Sequence, residues 1–133
     1  MSQLEKVSVM PERILVVDDE PFILRSLTFV LRTQGHEVFE AKNGTEAIAL
    51  VREKKPDLVF LDVMMPLMNG YEVCHQIKSD PTLSDVHVIM LTAKGQESDR
   101  VKGLAVGADE YMTKPFSPSK IIQRVKDVMA ERA

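Results

Sequence analysis

Residues 13–21 read Arg-Ile-Leu-Val-Val-Asp-Asp-Glu-Pro, an aliphatic run that is followed directly by three acidic residues and a proline. Four consecutive aliphatic residues are typical of a strand that is covered on both faces, as in a parallel sheet. A proline after the acidic residues suits the first turn of a helix. The stretch therefore predicts a strand, a short acidic loop and a helix, which together begin a β/α unit.

The same pattern recurs along the rest of the chain. Further apolar runs, each a candidate strand, cover residues 38–39, 58–61, 86–91 and 110–112. Helical spacing of apolar residues follows each run, with helices predicted after Pro21, over 45–53, after Gly70, near 97–105 and from Ser117 onward. This alternation predicts an α/β fold with a five-stranded parallel sheet in the order 2-1-3-4-5 and helices on both faces.

The composition is that of a globular protein and excludes several classes of function. The 133 residues are 44% hydrophobic and 28% charged, and no apolar run approaches the roughly 18 residues of a membrane span. A net charge of −3 without a basic cluster argues against direct nucleic-acid binding. A single cysteine, Cys74, agrees with a cytoplasmic location. His36, His75 and His87 are scattered, and we expect them at the surface rather than on a metal.

Polar side chains stand where four of the predicted strands end. Asp18 and Asp19 follow the first strand, and Asp62, Thr92 and Lys114 follow the third, fourth and fifth. Ligands of an open parallel sheet bind outside the carboxyl ends of its strands. The sequence therefore predicts that three carboxylates, a hydroxyl and an ammonium group meet at one edge of the sheet.

Such a cluster of carboxylates indicates a cation and phosphoryl chemistry. Two like charges about 4 Å apart repel by roughly 1–4 kcal/mol, so the cluster needs raised pKa values or a bound cation. Oxygen donors without cysteine favour Mg²⁺ over zinc. An ammonium and a hydroxyl group suit a phosphoryl group, which makes Asp62 a candidate nucleophile. By this argument, replacing either Asp18 or Asp19 with Asn raises the stability of the metal-free protein.

Over about residues 12–131 the chain resembles the receiver domain of two-component response regulators. The resemblance rests on Val-Val-Asp-Asp-Glu at 16–20, Asp-Val-Met-Met-Pro at 62–66 with Asn-Gly at 69–70, Leu-Thr-Ala at 91–93, and Gly-Ala-Asp-Glu-Tyr at 107–111 with Lys-Pro-Phe at 114–116. It implies a flavodoxin-like (CheY-like) fold, with a flexible tail over 1–12 and the receiver domain over 13–131. It also implies a cis peptide bond before Pro115.

The resemblance also implies a phosphoacceptor and a metal site. Asp62 would accept a phosphoryl group from a sensor histidine kinase or a phosphotransfer protein. Mg²⁺, with Mn²⁺ as an alternative, would bind Asp19, Asp62 and the backbone carbonyl of Met64, and Asp18 would act through water. The protein would catalyse only its own phosphorylation and its slow dephosphorylation, and would not otherwise be an enzyme.

The remaining residues of the family pattern imply a conformational switch. Thr92 and Lys114 would contact the phosphoryl group, and Tyr111 would turn inward when Thr92 moves toward it. The fourth predicted helix, the fifth strand and the fifth helix would then act on a downstream effector or output domain.

Oligomeric state is open at this point, between a monomer and a phosphorylation-dependent dimer. In receivers that dimerise through the face just described, oppositely charged residues pair across the dimer. Glu110 and Arg124 fit that scheme, whereas Lys120 stands where an acidic partner for Arg100 is expected. The chain therefore departs from the usual dimer pattern at one position.

Two other functions fit parts of the sequence. A phosphatase of the haloacid-dehalogenase type also uses an aspartate nucleophile, but it needs a second aspartate two residues later, where this chain has Met64. A flavin-binding module shares the predicted topology, but the loop after the first strand lacks the glycine, serine and threonine residues that cradle a phosphate.

Overall fold

The computed structural model describes residues 12–93 and 106–132. These ranges contain the strands β1 (Arg13–Val17), β2 (Glu37–Ala41), β3 (Leu58–Asp62), β4 (His87–Ala93) and β5 (Glu110–Lys114). They also contain the helices α1 (Pro21–Thr33), α2 (Gly44–Lys54), α3 (Gly70–Ser79) and α4 (Pro118–Arg132). The helix predicted near 97–105 lies outside the described residues, as do residues 1–11 of the predicted tail. No described helix has the length and apolar character needed to cross a membrane.

All five strands are parallel and lie in the order β2-β1-β3-β4-β5, which confirms the predicted sheet. The register aligns Val17 of β1 with Leu61 of β3, and Asp62 with Leu91 of β4. The acidic loop after β1 and the end of β3 therefore lie side by side at the carboxyl edge of the sheet.

The core lies in two layers because both faces of the sheet are covered. Leu15 and Val17 of β1 face the layer under α2 and α3, whereas Ile14 and Val16 face the layer under α1 and α4. All four side chains are fully buried. Burying one large aliphatic side chain contributes roughly 1.5–3 kcal/mol, so the continuous aliphatic runs stabilise the sheet from both sides. The prediction of helices on both faces is confirmed.

Side-chain caps fix where two of the helices begin at the carboxyl edge. The side chain of Asn43 accepts a hydrogen bond from the backbone N–H of Glu46 at 2.8 Å, before α2. Asn69 does the same for Glu72 at 3.1 Å, before α3. Each such cap contributes about 1 kcal/mol. The cap at Asn69 also ends the loop that follows Asp62, so it helps to fix the surroundings of the acidic cluster.

Gly70 packs against the end of β3 so closely that no side chain fits there. A Cβ atom at this position would lie 2.3 Å from the backbone carbonyl oxygen of Asp62. The N–H of Gly70 donates to the carbonyl oxygen of Val63 at 3.0 Å, which closes the loop between them. Leu67, near the middle of that loop, is fully exposed and has a left-handed backbone with φ of 70°. The loop therefore returns tightly to the strand it leaves.

Candidate active site

Three carboxylates meet at the carboxyl edge of the sheet, as the strand order predicts. Asp18 and Asp19 lie in the loop after β1, and Asp62 is the last residue of β3. One carboxylate oxygen from each residue lies within 4.8 Å of the other two. Asp18 and Asp62 are buried, whereas Asp19 is exposed. The cluster is therefore open to solvent on the side of Asp19.

Lys114 supplies the positive charge that contacts this cluster. It is the last residue of β5, and the peptide bond to Pro115 is cis, as the family resemblance implies. Its Nζ donates to Oδ2 of Asp18 at 2.9 Å and to Oδ1 of Asp62 at 3.3 Å. One ammonium group thus bridges two buried carboxylates, and the negative charges still outnumber it when all three carboxylates are ionised.

The surroundings change the proton affinity of both Asp62 and Lys114. Burial, and then the negative charge of Asp18, raises the pKa of Asp62 to about 7, although the charge of Lys114 and its hydrogen bond oppose this rise. Burial alone would lower the pKa of Lys114, but its hydrogen bond to Asp18 and the charge of Asp62 raise it overall. Near neutral pH the site therefore holds an ammonium ion beside a carboxyl group that titrates. A dication at the cluster would favour the ionised form of Asp62.

Backbone hydrogen bonds hold Asp18 in a single orientation. Its N–H donates to the carbonyl oxygen of Ala41 at 3.1 Å, and its Oδ1 accepts from the N–H of Glu20 at 2.9 Å. Its Oδ2 accepts from Lys114. Both carboxylate oxygens of Asp18 are therefore engaged, whereas Asp19 stands at the solvent side of the cluster. The structure thus separates two aspartates that look equivalent in the sequence.

The other residues singled out in the sequence lie on the strands and loop around the cluster. Thr92 is buried on β4, aligned with Thr113 of β5. Tyr111 is half-buried on β5 and packs against the core layer under α2 and α3. Met64 donates its backbone N–H to Oδ1 of Asp62 at 3.4 Å, while its side chain is largely exposed. Met64 lies two residues after Asp62, and Thr92 follows the residue of β4 that is aligned with Asp62, whereas Tyr111 lies one strand further away, on β5.

His87 was predicted to be a surface residue, and this prediction is wrong. Its side chain is only 15% exposed, and Nε2 lies 2.7 Å from Oε2 of Glu110, whose other oxygen contacts Arg124 within the same chain. The signal was present in the sequence, because alternation along β4 puts His87 on the same face as the buried Ile89 and Leu91.

Known proteins match the chain over most of its length. A family model for the response regulator receiver domain matches residues 14–126. The chain is 49% identical over 118 residues to the probable transcriptional regulator ycf27 of Porphyra purpurea, and 45% identical over 116 residues to the phosphate regulon transcriptional regulatory protein PhoB of Pseudomonas aeruginosa. These matches cover 89% and 87% of this chain but 47% and 51% of the relatives. The chain thus spans about half the length of the curated relatives it matches.

Solved structures match the fold as well. A putative response regulator from Chloroflexus aurantiacus superposes with a TM-score of 0.86 at 36% identity, covering 91% of this chain and 99% of that one.

Proposed function

The chain belongs to the response regulator receiver family, whose function is a phosphorylation-dependent switch, and we propose that Asp62 is the residue that becomes phosphorylated. The observation that carries this proposal is the bridge from Lys114 to both Asp18 and Asp62, beside the open side of the cluster at Asp19. Asp62 is the member of the cluster that lies on the central strand of the described sheet, and its Oδ1 accepts from Lys114 and from the backbone N–H of Met64.

The proposed reaction is the transfer of a phosphoryl group to an oxygen of Asp62. The ionised carboxylate attacks the phosphorus of a phosphohistidine on a sensor histidine kinase or phosphotransfer protein. An O–P bond forms as the P–N bond breaks, and the electron pair of that bond stays on the imidazole nitrogen of the donor. Because the pKa of Asp62 is about 7, part of the protein carries a protonated Asp62 at neutral pH. The attack requires the ionised form, so the site must favour ionisation.

We propose that the site holds Mg²⁺, with Mn²⁺ as an alternative. Asp19, Asp62 and the backbone carbonyl of Met64 would be direct ligands, and Asp18 would act through water. The donors fit, because carboxylate and carbonyl oxygens are the ligands that these hard cations prefer. Three ionised carboxylates and one ammonium group leave two negative charges, which a dication balances. When bound, the ion supplies positive charge to the phosphoryl oxygens.

Other residues around Asp62 would stabilise the phosphoryl group and change position when it is present. Lys114 already lies 3.3 Å from Asp62, so its ammonium group would pair with a phosphoryl oxygen. Thr92 would donate its hydroxyl to another oxygen, and Tyr111 would move inward with it. The same site would catalyse only its own phosphorylation and its slow dephosphorylation.

We further propose that the receiver domain spans 13–131 and that it acts on partner proteins in the cytoplasm. The matched relatives are named as transcriptional regulators and are about twice as long. The output would pass to an effector or output domain through β5, α4 and the helix predicted near 97–105. The chain itself would not contact nucleic acid, and it would act as a monomer or as a phosphorylation-dependent dimer.

Labelling by a small phosphodonor tests the proposal. Acetyl phosphate with Mg²⁺ should add one phosphoryl group to the chain, detected by intact mass, and chelation of the metal should prevent it. Asp62→Asn should abolish the labelling. Asp85→Asn, an identical change at an exposed aspartate, should label as the unchanged protein does. Normal labelling of Asp62→Asn would overturn the assignment.

A further inference from the structure

A chain of charged side chains links β4, β5 and α4 at the amino edge of the sheet, opposite the acidic cluster. His87 Nε2 lies 2.7 Å from Oε2 of Glu110, and Arg124 Nη2 contacts Oε1 of the same carboxylate. We call His87, Glu110 and Arg124 the amino-edge triad. Their side chains are 15%, 20% and 28% exposed. Each oxygen of Glu110 therefore accepts from one donor of its own chain, in a largely desolvated position.

Other charged groups lie on the elements packed around His87. Among the described residues they include Glu12 before β1, Asp57 before β3, Asp85 before β4, and Lys120, Lys126, Asp127, Glu131 and Arg132 on α4. The side chain of Asp57 accepts from the N–H of Arg13 at 2.9 Å, and Asp127 accepts from Arg124 at 3.0 Å. Arg132 donates to the backbone carbonyl of Asp85. Glu110 is thus the carboxylate that the imidazole of His87 contacts in the described part of the chain.

We propose that His87 competes for Glu110 and so makes self-association through the face of β5 and α4 weaker at acidic pH. This inference rests on the proposed function, because the dimer in question forms on phosphorylation. Glu110 and Arg124 are the residues whose charges fit pairing across such a dimer, yet here they pair within one chain. Glu110 must leave its own donors before it can pair with Arg124 of a second copy.

Protonation of His87 strengthens the bond that holds Glu110 in its own chain. A neutral imidazole offers Glu110 only an N–H group, whereas an imidazolium ion offers a charge-assisted hydrogen bond that is roughly twice as strong. Histidine is the side chain that ordinarily titrates between pH 5 and 8. Because Glu110 leaves His87 when the dimer forms, the dimer loses the contact that stabilises the imidazolium ion. By linkage, the dimer is then favoured as the pH rises.

The test measures the dimer dissociation constant of the protein activated with Mg²⁺ and beryllium fluoride, a stable mimic of the phosphoryl group, by sedimentation near pH 5.5 and pH 7.5. We expect the constant to be roughly tenfold larger at the acidic pH. His87→Gln should reduce this change to less than about twofold, because its amide donates to Glu110 without titrating. His75→Gln changes an exposed histidine on α3 and should keep the tenfold change.

Each other result would overturn the inference. The same pH dependence in His87→Gln as in the unchanged protein would assign it to another group. An activated protein with equal association at both pH values, or one that stays monomeric, would show that the triad does not control association. Fluorine NMR of the bound beryllium fluoride separates these failures from a failure of the proposed function: a chain that binds the mimic but does not dimerise refutes only the inference, and a chain that does not bind it refutes both.

Discussion

The two edges of the sheet use lysine in opposite ways. At the amino edge, Lys78 is 16% exposed and contacts Asp109 at 2.7 Å and the backbone carbonyls of Ser84 and Val86 at 3.2 and 2.6 Å. At the carboxyl edge, Lys114 is 20% exposed and contacts two carboxylates, with a third beside them. Lys78 is paired with one carboxylate, whereas Lys114 lies among more negative charge than it can balance.

This difference separates a structural charge pair from a functional one. Lys78 and Asp109 tie α3 to the beginnings of β4 and β5, since Asp109 also accepts from the N–H of Val88 at 2.8 Å. Nothing needs to be added to satisfy these groups. The cluster around Asp62 reaches balance only when a dication joins it, and a proton on Asp62 removes part of the excess charge, which is why its pKa is raised to about 7.

The largest loss of stability is expected when the ion pair at the amino edge is broken. Lys78→Met leaves Asp109 and two carbonyl groups without their donor, and should lower the free energy of unfolding by about 3 kcal/mol. Added Mg²⁺ should not restore it. Urea titrations with and without Mg²⁺ measure both points, and Lys126→Met, at an exposed position of α4, is the matched control. Equal stability of the two variants would mean that the amino edge does not depend on this lysine.

Removing the carboxylate of Asp62 should raise the free energy of unfolding instead of lowering it. Because burial and Asp18 raise the pKa of Asp62 from 3.8 to about 7, its folded form binds a proton more tightly than its unfolded form. That carboxyl group therefore costs no stability below about pH 4, and its penalty grows through pH 7 to a full value of roughly 4 kcal/mol. Asp62→Asn in chelator should be more stable than the unchanged protein by that amount near pH 8, and by much less near pH 4. Thermal melts across this range test it, and a gain that is the same at every pH would contradict it.

The stability of a Lys114 variant should depend on Mg²⁺, whereas the stability of the Lys78 variant should not. In chelator, Lys114→Met leaves the buried carboxylates of Asp18 and Asp62 without their cation and should lower the free energy of unfolding by about 2 kcal/mol. Saturating Mg²⁺ should recover most of this loss, since the ion supplies the missing positive charge. The comparison with Lys78→Met in the same titration is its control. A loss that persists in Mg²⁺ would make the two lysines equivalent and remove the distinction between the edges.

The smallest effects should distinguish the two neighbouring aspartates. Asp18→Asn removes an ion pair with Lys114, so it should lower the stability of the metal-free protein by about 1 kcal/mol. Asp19→Asn removes repulsion at an exposed position and should raise it by about 0.5 kcal/mol. Paired melts in chelator decide this, and shifts of the same sign for both variants would refute the distinction.

The sequence predicted the features that depend on neighbouring residues. Aliphatic runs such as 14–17 define the strands, and the polar residues after them define the carboxyl edge, because both signals are local. The pairing of Asp18 with Lys114 joins residues 96 positions apart, and no local pattern encodes it. For this reason Asp18 and Asp19 look alike in the sequence, and repulsion between carboxylates predicts that both Asn variants are more stable.

The close approach of Gly70 to Asp62 could not be predicted from the sequence, for a similar reason. The Asn-Gly pair at 69–70 was recognised as part of a motif, but the 2.3 Å that would separate an added Cβ from the Asp62 carbonyl depends on how the loop returns to β3. His87 differs from both cases, because strand alternation was enough to predict that it points inward. The error there lay in judging the residue by its type and not by its position along β4.

The order of the strands has a mechanical consequence for the proposed switch. Asp62 ends β3, which is hydrogen-bonded to a strand on each side, whereas Lys114 and Tyr111 belong to β5, which pairs with β4 alone among the described strands. A strand that is paired on both sides therefore carries the proposed acceptor, and a strand that is paired on one side carries the residues that would respond to it. Negative charge added at Asp62 would displace β5 before it displaces the central strands, so the topology sets the direction of the motion.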